Sequence, residues 1–317
     1  MSSNSILKVN IEYLKTLDGY HILRDISFGV YKNETLCIIG ESGSGKSMTG
    51  YSIMGLLPQN LLFRGDIEYS DDNVTIKDPS LMRGKKITMI FQEPMTALNP
   101  LFSIGNQLSE VLPDIDKAEQ KKRILTSLKD VGIRDAERVY NSYPHQLSGG
   151  MRQRALIAMA FLPQPSVVIA DEPTTALDVT IASGILSLIK HMKQRKGISL
   201  IFISHDMNIV EKIADRIIVM YGGTIMEAGS ASEILNNPMH PYTLALKRLF
   251  EERRKGHQRR LMEIKGFVPS IRDMPAGCPF NPRCNRATDI CRERFPELLT
   301  EGESHQIRCL NYKDASF

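Results

Sequence analysis

The sequence predicts an α/β fold with a mostly parallel sheet, antiparallel N-terminal strands, an inserted helical subdomain and a small C-terminal cysteine-bearing module. Three observations predict it. Short apolar runs, Val167–Ala170 and Leu200–Ile203, alternate with helical patterns such as "ILSLIKHMKQ", which is how a parallel sheet with helices on both faces is written. Residues 1–35 read as antiparallel strands about a turn at Asp18-Gly19. Four of the five cysteines, Cys278, Cys284, Cys291 and Cys309, lie at the end of the chain.

At 317 residues, with 42% apolar and 24% charged residues, the chain can bury a full core and is not of disordered composition. A net charge of +4 is mild and does not by itself argue for nucleic acid, which calls for a concentrated basic stripe, and no nucleic-acid partner is expected. The start "MSSNSILKVN" has no basic residue leading an apolar core, so it does not read as a secretory signal. No window approaches the ~18–20 apolar residues of a membrane span. A cytosolic chain is expected, reaching a membrane only through partners, and there the cysteines point to metal or redox chemistry.

The first chemical motif follows the apolar run Leu36–Ile39. Gly40-Glu41-Ser42-Gly43-Ser44-Gly45-Lys46-Ser47 satisfies G-x-x-x-x-G-K-[ST], with a helical pattern from Ser47 onward. Its glycines let successive N–H groups turn inward, and the helix N-terminus adds its positive end. Lys46 is expected to reach the β- and γ-phosphates of a nucleotide, and Ser47 to ligate Mg²⁺.

The second half lies at strand ends. Val167–Ala170 delivers Asp171 and Glu172, the place for an Mg²⁺-organising carboxylate and a water-polarising one. "LIFISHDM" puts His205 at another strand end, suited to donate to the γ-phosphate, and "MIFQEPMTALNP" puts Gln92 where its amide can meet Mg²⁺ and the attacking water. Leu147-Ser148-Gly149-Gly150-Met151 opens a strong helical pattern, with Ser148 as N-cap and two glycines exposing N–H groups. That is a second anion-binding helix start, suited to a nucleotide held by another subunit.

In order and spacing these pieces resemble the ABC-type ATPases: residues 40–47, Gln92, 147–151, Asp171-Glu172, "ALD" at 176–178 and His205. The resemblance implies a phosphate-loop ATPase domain with ATP and Mg²⁺. It further implies a head-to-tail dimer, in which the phosphate loop of one subunit and the signature of the other enclose each ATP. Asp178 then lies at the dimer contact, and an aromatic near the N-terminus stacks on adenine; Tyr13 is preferred to Tyr20. The resemblance also makes residues 96–154 a helical subdomain that meets a membrane-spanning partner. One phosphate loop and no internal repeat mean one ATPase unit, expected over 1–239, with a tail over 240–317. The charge run "EERRKGHQRRLMEIKG" reads as a solvated surface or linker.

"HPYT" at 240–243 and the cysteine tail resemble a narrower group, the ATPase subunits of bacterial oligopeptide, dipeptide and nickel importers. This resemblance implies two permease subunits, an extracytoplasmic substrate-binding protein and a paralogous second ATPase chain in a heterodimer. It places the chain at the cytoplasmic face of the cell membrane. A soluble mechanical ATPase on ribosomes or DNA, and an exporter ATPase, are the alternative readings. The tail cysteines lack the C-x-x-C pairs of zinc ribbons; group members with this spacing carry a [4Fe–4S] cluster, zinc and free or disulfide-bonded thiols being the alternatives. Arg283, Arg286, Arg292 and Arg308 are candidates to offset the charge of such a site. Cys37 reads as a buried small hydrophobe.

Overall fold

The computed structural model describes residues 5–71, 74–175, 177–254 and 264–312. The chain begins with β1 (Ser5–Thr16), β2 (His21–Tyr31), β3 (Thr35–Ile39), α1 (Lys46–Met54), β4 (Leu61–Asp71) and β5 (Val74–Ile76). There follow α2 (Pro79–Met82), β6 (Ile87–Ile90), α3 (Pro94–Ala97), α4 (Ile104–Ser109), α5 (Lys117–Asp130), α6 (Ala136–Asn141) and α7 (Gly149–Phe161). Then come β7 (Val167–Asp171), α8 (Val179–Lys196), β8 (Ser199–Ser204), α9 (Met207–Ile213), β9 (Arg216–Tyr221), β10 (Thr224–Ser230) and α10 (Ala231–Asn236). The chain closes with α11 (Pro241–Arg254), α12 (Asp289–Glu293), β11 (Leu299–Glu301) and β12 (His305–Ile307). None of the described helices is long and apolar enough to cross a membrane. The described residues form two compact units: one comprises 5–6, 30–34 and 69–202, the other 7–29, 35–68 and 203–312.

The first unit holds most of the helices. Its β6 and β7 run parallel, from Ile87 opposite Val167 to Ile90 opposite Ala170. Every residue of both strands is buried, as in a sheet covered on both faces, where strands read as continuous apolar runs. Helix α7 contributes wholly buried Ala155, Ile157, Ala158 and Phe161 and packs on α5, which buries Ile124 and Leu128. Each fully buried large aliphatic or aromatic side chain is worth roughly 1.5–3 kcal/mol. Side chains cap the helices: Asp116 accepts from Ala118 N–H (3.0 Å), Ser148 from Met151 N–H (3.3 Å) and Asp178 from Ile181 N–H (2.8 Å). Each such cap contributes about 1 kcal/mol.

In the second unit β3 runs parallel to β9, β9 pairs antiparallel with β10, and β12 pairs antiparallel with β10 with Glu227 opposite Ile307. The short β11 adds to β12, so the tail supplies strands that cover what would be a bare sheet edge. The expected N-terminal strands are present as β1 and β2, neighbours in a separate sheet and joined through Asp18 and Gly19. Cys37 sits in β3, whose five residues are all buried, as expected of a small apolar filler. The first four residues of the charge run, 251–254, belong to α11, which continues through Arg254, while residues 255–263, where most of the surface-or-linker reading falls, lie outside the described residues. Pro241 occupies the first helical position and is followed by strong helix formers, and Lys247 pairs with Glu251 one turn on (3.9 Å). Those local preferences extend the helix into the charged stretch.

Candidate functional site

The phosphate loop joins β3 to α1 in the second unit. Gly43 and Gly45 adopt φ of +78° and +98°, values that glycine reaches without steric cost. A Cβ at Gly40 would lie 2.2 Å from the Met220 carbonyl oxygen, so that position admits no side chain. Ser42 and Gly43 are exposed, whereas Ser44 and Lys46 are buried. The Lys46 ammonium donates to the carbonyls of Gly40 and Glu41 (both 2.9 Å) and to Ser44 Oγ (3.4 Å). Ser47 follows it in the first turn of α1. Left-handed glycines, a helix N-terminus and a lysine held at its base are the donor set that phosphates require, so this stretch fits ATP.

In the first unit β7 ends on Asp171, which is fully buried, and the chain then turns through Glu172 at φ +42°. A β-carbon-bearing residue in the left-handed region costs roughly 1–3 kcal/mol and marks a constrained site. The Glu172 carboxylate accepts from Thr175 Oγ1 (2.9 Å) and from Gln92 Nε2 (3.4 Å). Gln92 and Glu172 are therefore brought together, and Thr175, which sequence reasoning missed, orients the same carboxylate. Ser148, Gly149 and Gly150 start α7, and a Cβ on Gly150 would stand 3.3 Å from Ile181 of α8. Asp178 serves as the cap of α8.

The remaining predicted residues are less tightly framed. Tyr13 is half-buried in β1, edge-on to His21 at 6.2 Å, with the Lys15 ammonium 4.5 Å from its ring centre. Tyr20 is exposed, 5.8 Å from the Arg272 guanidinium. His205 is exposed at the C-terminal end of β8.

The tail is organised around buried polar groups. The fully buried Glu227 accepts from the N–H groups of Met239 (2.6 Å) and His240 (3.0 Å) and is hydrogen-bonded to His305 Nε2 (2.7 Å). Burial pushes the His240 imidazole down to about 4, against an opposing pull from Glu227; its neutral Nδ1 accepts from Tyr242 N–H (3.0 Å). Tyr242 packs against Tyr221 and Phe280, ring centres 4.8 and 5.2 Å away, and its hydroxyl accepts from Glu41 N–H (2.9 Å). The "HPYT" stretch thus reaches the phosphate loop directly.

Cys278, Cys284, Cys291 and Cys309 are free thiols lining one cavity of about 20 Å³, together with His240, Phe280 and other residues. Burial pushes Cys278 up to about 12 and Cys309 up to about 11, and raises Cys284 as well. Thr288 Oγ1 and Asn311 Nδ2 each lie 3.4 Å from Cys291 Sγ. Among the described residues no three His, Cys, Asp or Glu side chains are grouped closely enough to hold a metal ion. The four thiols therefore share one cavity, and the described residues show no metal-binding group there. Two of the four arginines expected to offset charge at the cysteines are engaged elsewhere. Arg283 grips Glu41, and fully buried Arg308 donates to the carbonyls of Ile225, Pro296 and Asp25 and to the Asp25 carboxylate. Partners 242 and 283 positions away leave no local sequence signal, so these roles were missed.

Family models match in two places: the ABC transporter model over residues 23–175, and the oligopeptide/dipeptide transporter C-terminal region over 226–291. The dipeptide transport ATP-binding protein DppD of Bacillus subtilis is 42% identical, over 96% of this chain and 93% of that protein. A putative peptide import ATP-binding protein of Brucella ovis is 41% identical over 92% of each. Among solved structures, the ATP-binding cassette MJ0796 in a dimeric state with ADP and Pi superposes with a TM-score of 0.60 at 28% identity, over 71% of this chain and 98% of that one. CbiO1 of Clostridium perfringens, part of a cbiONQ transporter complex, superposes at 0.61 and 29%, over 80% and 98%. The chain belongs to the ABC transporter ATP-binding subunits that carry the oligopeptide/dipeptide-type C-terminal region, and it is an ATP-hydrolysing enzyme.

Proposed function

We propose that this chain powers uptake of short peptides through a bacterial ABC importer, nickel or metal chelates being the second substrate class. The observation that carries the reading is the bond between Tyr242 and Glu41: a tail matching the oligopeptide/dipeptide type is fastened to an ATP-binding loop within one compact unit. The backbone amides of residues 40–45 and Lys46 hold the phosphates. Ser47, Gln92 and Asp171 serve Mg²⁺, and Tyr13 stacks on adenine. Glu172 polarises the attacking water and His205 donates to the γ-phosphate. Ser148, Gly149 and Gly150 address the ATP of the other ATPase subunit, with Asp178 at the contact. ABC ATPases of this family work as dimers with membrane permeases. We assign this chain a paralogous partner ATPase, two permease subunits and an extracytoplasmic binding protein, at the cytoplasmic face of the inner membrane.

The four cysteines hold a [4Fe–4S] cluster in this reading, with zinc as the alternative. On binding a metal group, Cys278, Cys284 and Cys309, which burial keeps protonated, would release their protons to solvent, the metal's positive charge compensating the thiolates. Thr288 and Asn311 then polarise the sulfur of Cys291.

The test uses the assembly purified anaerobically through a tag on this chain. Glu172→Gln is expected to lower ATP turnover by about 10²–10⁴-fold while ATP binding persists; unchanged turnover overturns the catalytic assignment. Copurified permeases and a peptide-stimulated ATPase rate support the importer, and stimulation by nickel chelates alone replaces peptide as substrate. Iron near four per chain supports the cluster, and zinc near one per chain replaces it.

A further inference from the structure

Arg283 stands between two chemistries that the motifs treat as separate. It closes the turn Asn281–Arg283, which Cys278 and Cys284 flank. That turn is tightly held: the Asn281 amide Nδ2 donates to the Cys278 carbonyl (2.7 Å), and Asn281 N–H donates to the same oxygen (3.0 Å). From it the Arg283 guanidinium reaches both carboxylate oxygens of Glu41 (2.5 and 3.1 Å). It also donates to the Tyr221 hydroxyl (3.3 Å) and the carbonyls of Ile264 and Lys265 (2.8 and 3.1 Å). Its side chain is 5% exposed and that of Glu41 27%, so the forked pair is partly shielded from solvent screening. Glu41 is the second residue of the phosphate loop, and its N–H is already committed to Tyr242. An unpaired carboxylate there adds a like charge beside a site for nucleotide phosphates.

We propose that Arg283 is a positioning residue for nucleotide binding: by holding and neutralising Glu41 it keeps the phosphate loop receptive to phosphate, and it makes that receptivity depend on the order of the cysteine-bearing turn. The tail is then a regulator of ATP affinity, wired through one ion pair. The inference rests on the reading that residues 40–47 hold the nucleotide.

The test is a mutant cycle in the full chain, reading the dissociation constant of Mg-ADP, with a melting curve in the absence of nucleotide for each variant. Arg283→Met is expected to weaken binding about tenfold, because it frees the carboxylate. Glu41→Gln is expected to tighten binding about two- to threefold. Combining the two should restore affinity to within about threefold of wild type, a rescue that a purely structural role for Arg283 does not produce. Cys284→Ser should weaken binding in the wild-type background and leave the Glu41→Gln background unaffected. Wild-type affinity in Arg283→Met, a double variant as weak as Arg283→Met, or an equal Cys284→Ser effect in both backgrounds overturns the proposal. Should the methionine variant not fold, Arg283→Lys keeps the charge and loses the fork; a two- to fivefold loss supports the proposal and unchanged affinity overturns it. Wild-type binding by Lys46→Ala overturns the phosphate-loop reading itself, and this inference with it.

Discussion

The phosphate loop and the cysteine tail share one compact unit but are built from opposite materials. The loop is a backbone object: Gly40, Gly43 and Gly45 take φ values and close approaches that side chains forbid, and its one buried charge, Lys46, donates to two carbonyls five and six residues away and to the Ser44 hydroxyl. The tail is a side-chain object. Arg308, Glu227 and Arg283 are buried charges whose partners come from distant segments. A local device can be written as a motif; a device made of long-range buried pairs cannot, since any of many residues could supply the partner.

If that contrast is right, the two regions should fail differently. Gly40→Ala places a Cβ 2.2 Å from the Met220 carbonyl at φ +153°, a combined strain and overpacking cost of roughly 4 kcal/mol. Nucleotide binding should be lost with the tail cavity intact; retained affinity, measured by titration, would break the comparison. Arg308→Met should cost about 3 kcal/mol by leaving three carbonyls without their donor, the share from the exposed Asp25 carboxylate being small. It is expected to lower the melting temperature and speed alkylation of Cys278 and Cys309; unaltered thiol reactivity would show that the tail does not depend on its buried charge.

His240 gives a subtler test by acid. Its folded-state value of about 4 lies below the ordinary 6.5, so the unfolded chain binds the proton more readily. The stability this contributes is present above about pH 6.5 and is lost as pH falls toward 4. Between pH 7 and pH 5 the loss from this group alone is about 2 kcal/mol. Denaturant midpoints at the two pH values should show that decrement, and His240→Asn should remove it; a slope identical in both chains would place the acid sensitivity elsewhere.

Much of the nucleotide side was legible because its logic is short-ranged. Gly40–Ser47, the carboxylates after β7 and the Ser148 cap follow from spacing and residue type, and the structure puts each at the expected strand end or helix start. The clustering of the four tail cysteines was legible as well, from their count and position. What was not legible was who holds whom. The surface-or-linker reading of the charge run gave no sign that α11 takes in its first four residues, where helix propensity and Pro241 carry the helix on. Arg283 and Arg308, expected to offset charge at the cysteines, also hold Glu41 and Asp25, partners that proximity in sequence does not name.

By itself, then, the sequence determined the α/β class, the glycine-rich loop at 40–47, the carboxylates at the end of β7 and the presence of a cysteine module. Each is encoded by short-range residue type and spacing: backbone geometry, hydrophobic period or the run of cysteines. Only the tertiary structure decided that the tail's β12 closes the sheet edge on β10, that Tyr242 and Arg283 both end on Glu41, and that Thr175 and Gln92 share Glu172. Those pairings join residues far apart in the chain or turn on exact side-chain geometry, and packing, not local preference, selects them.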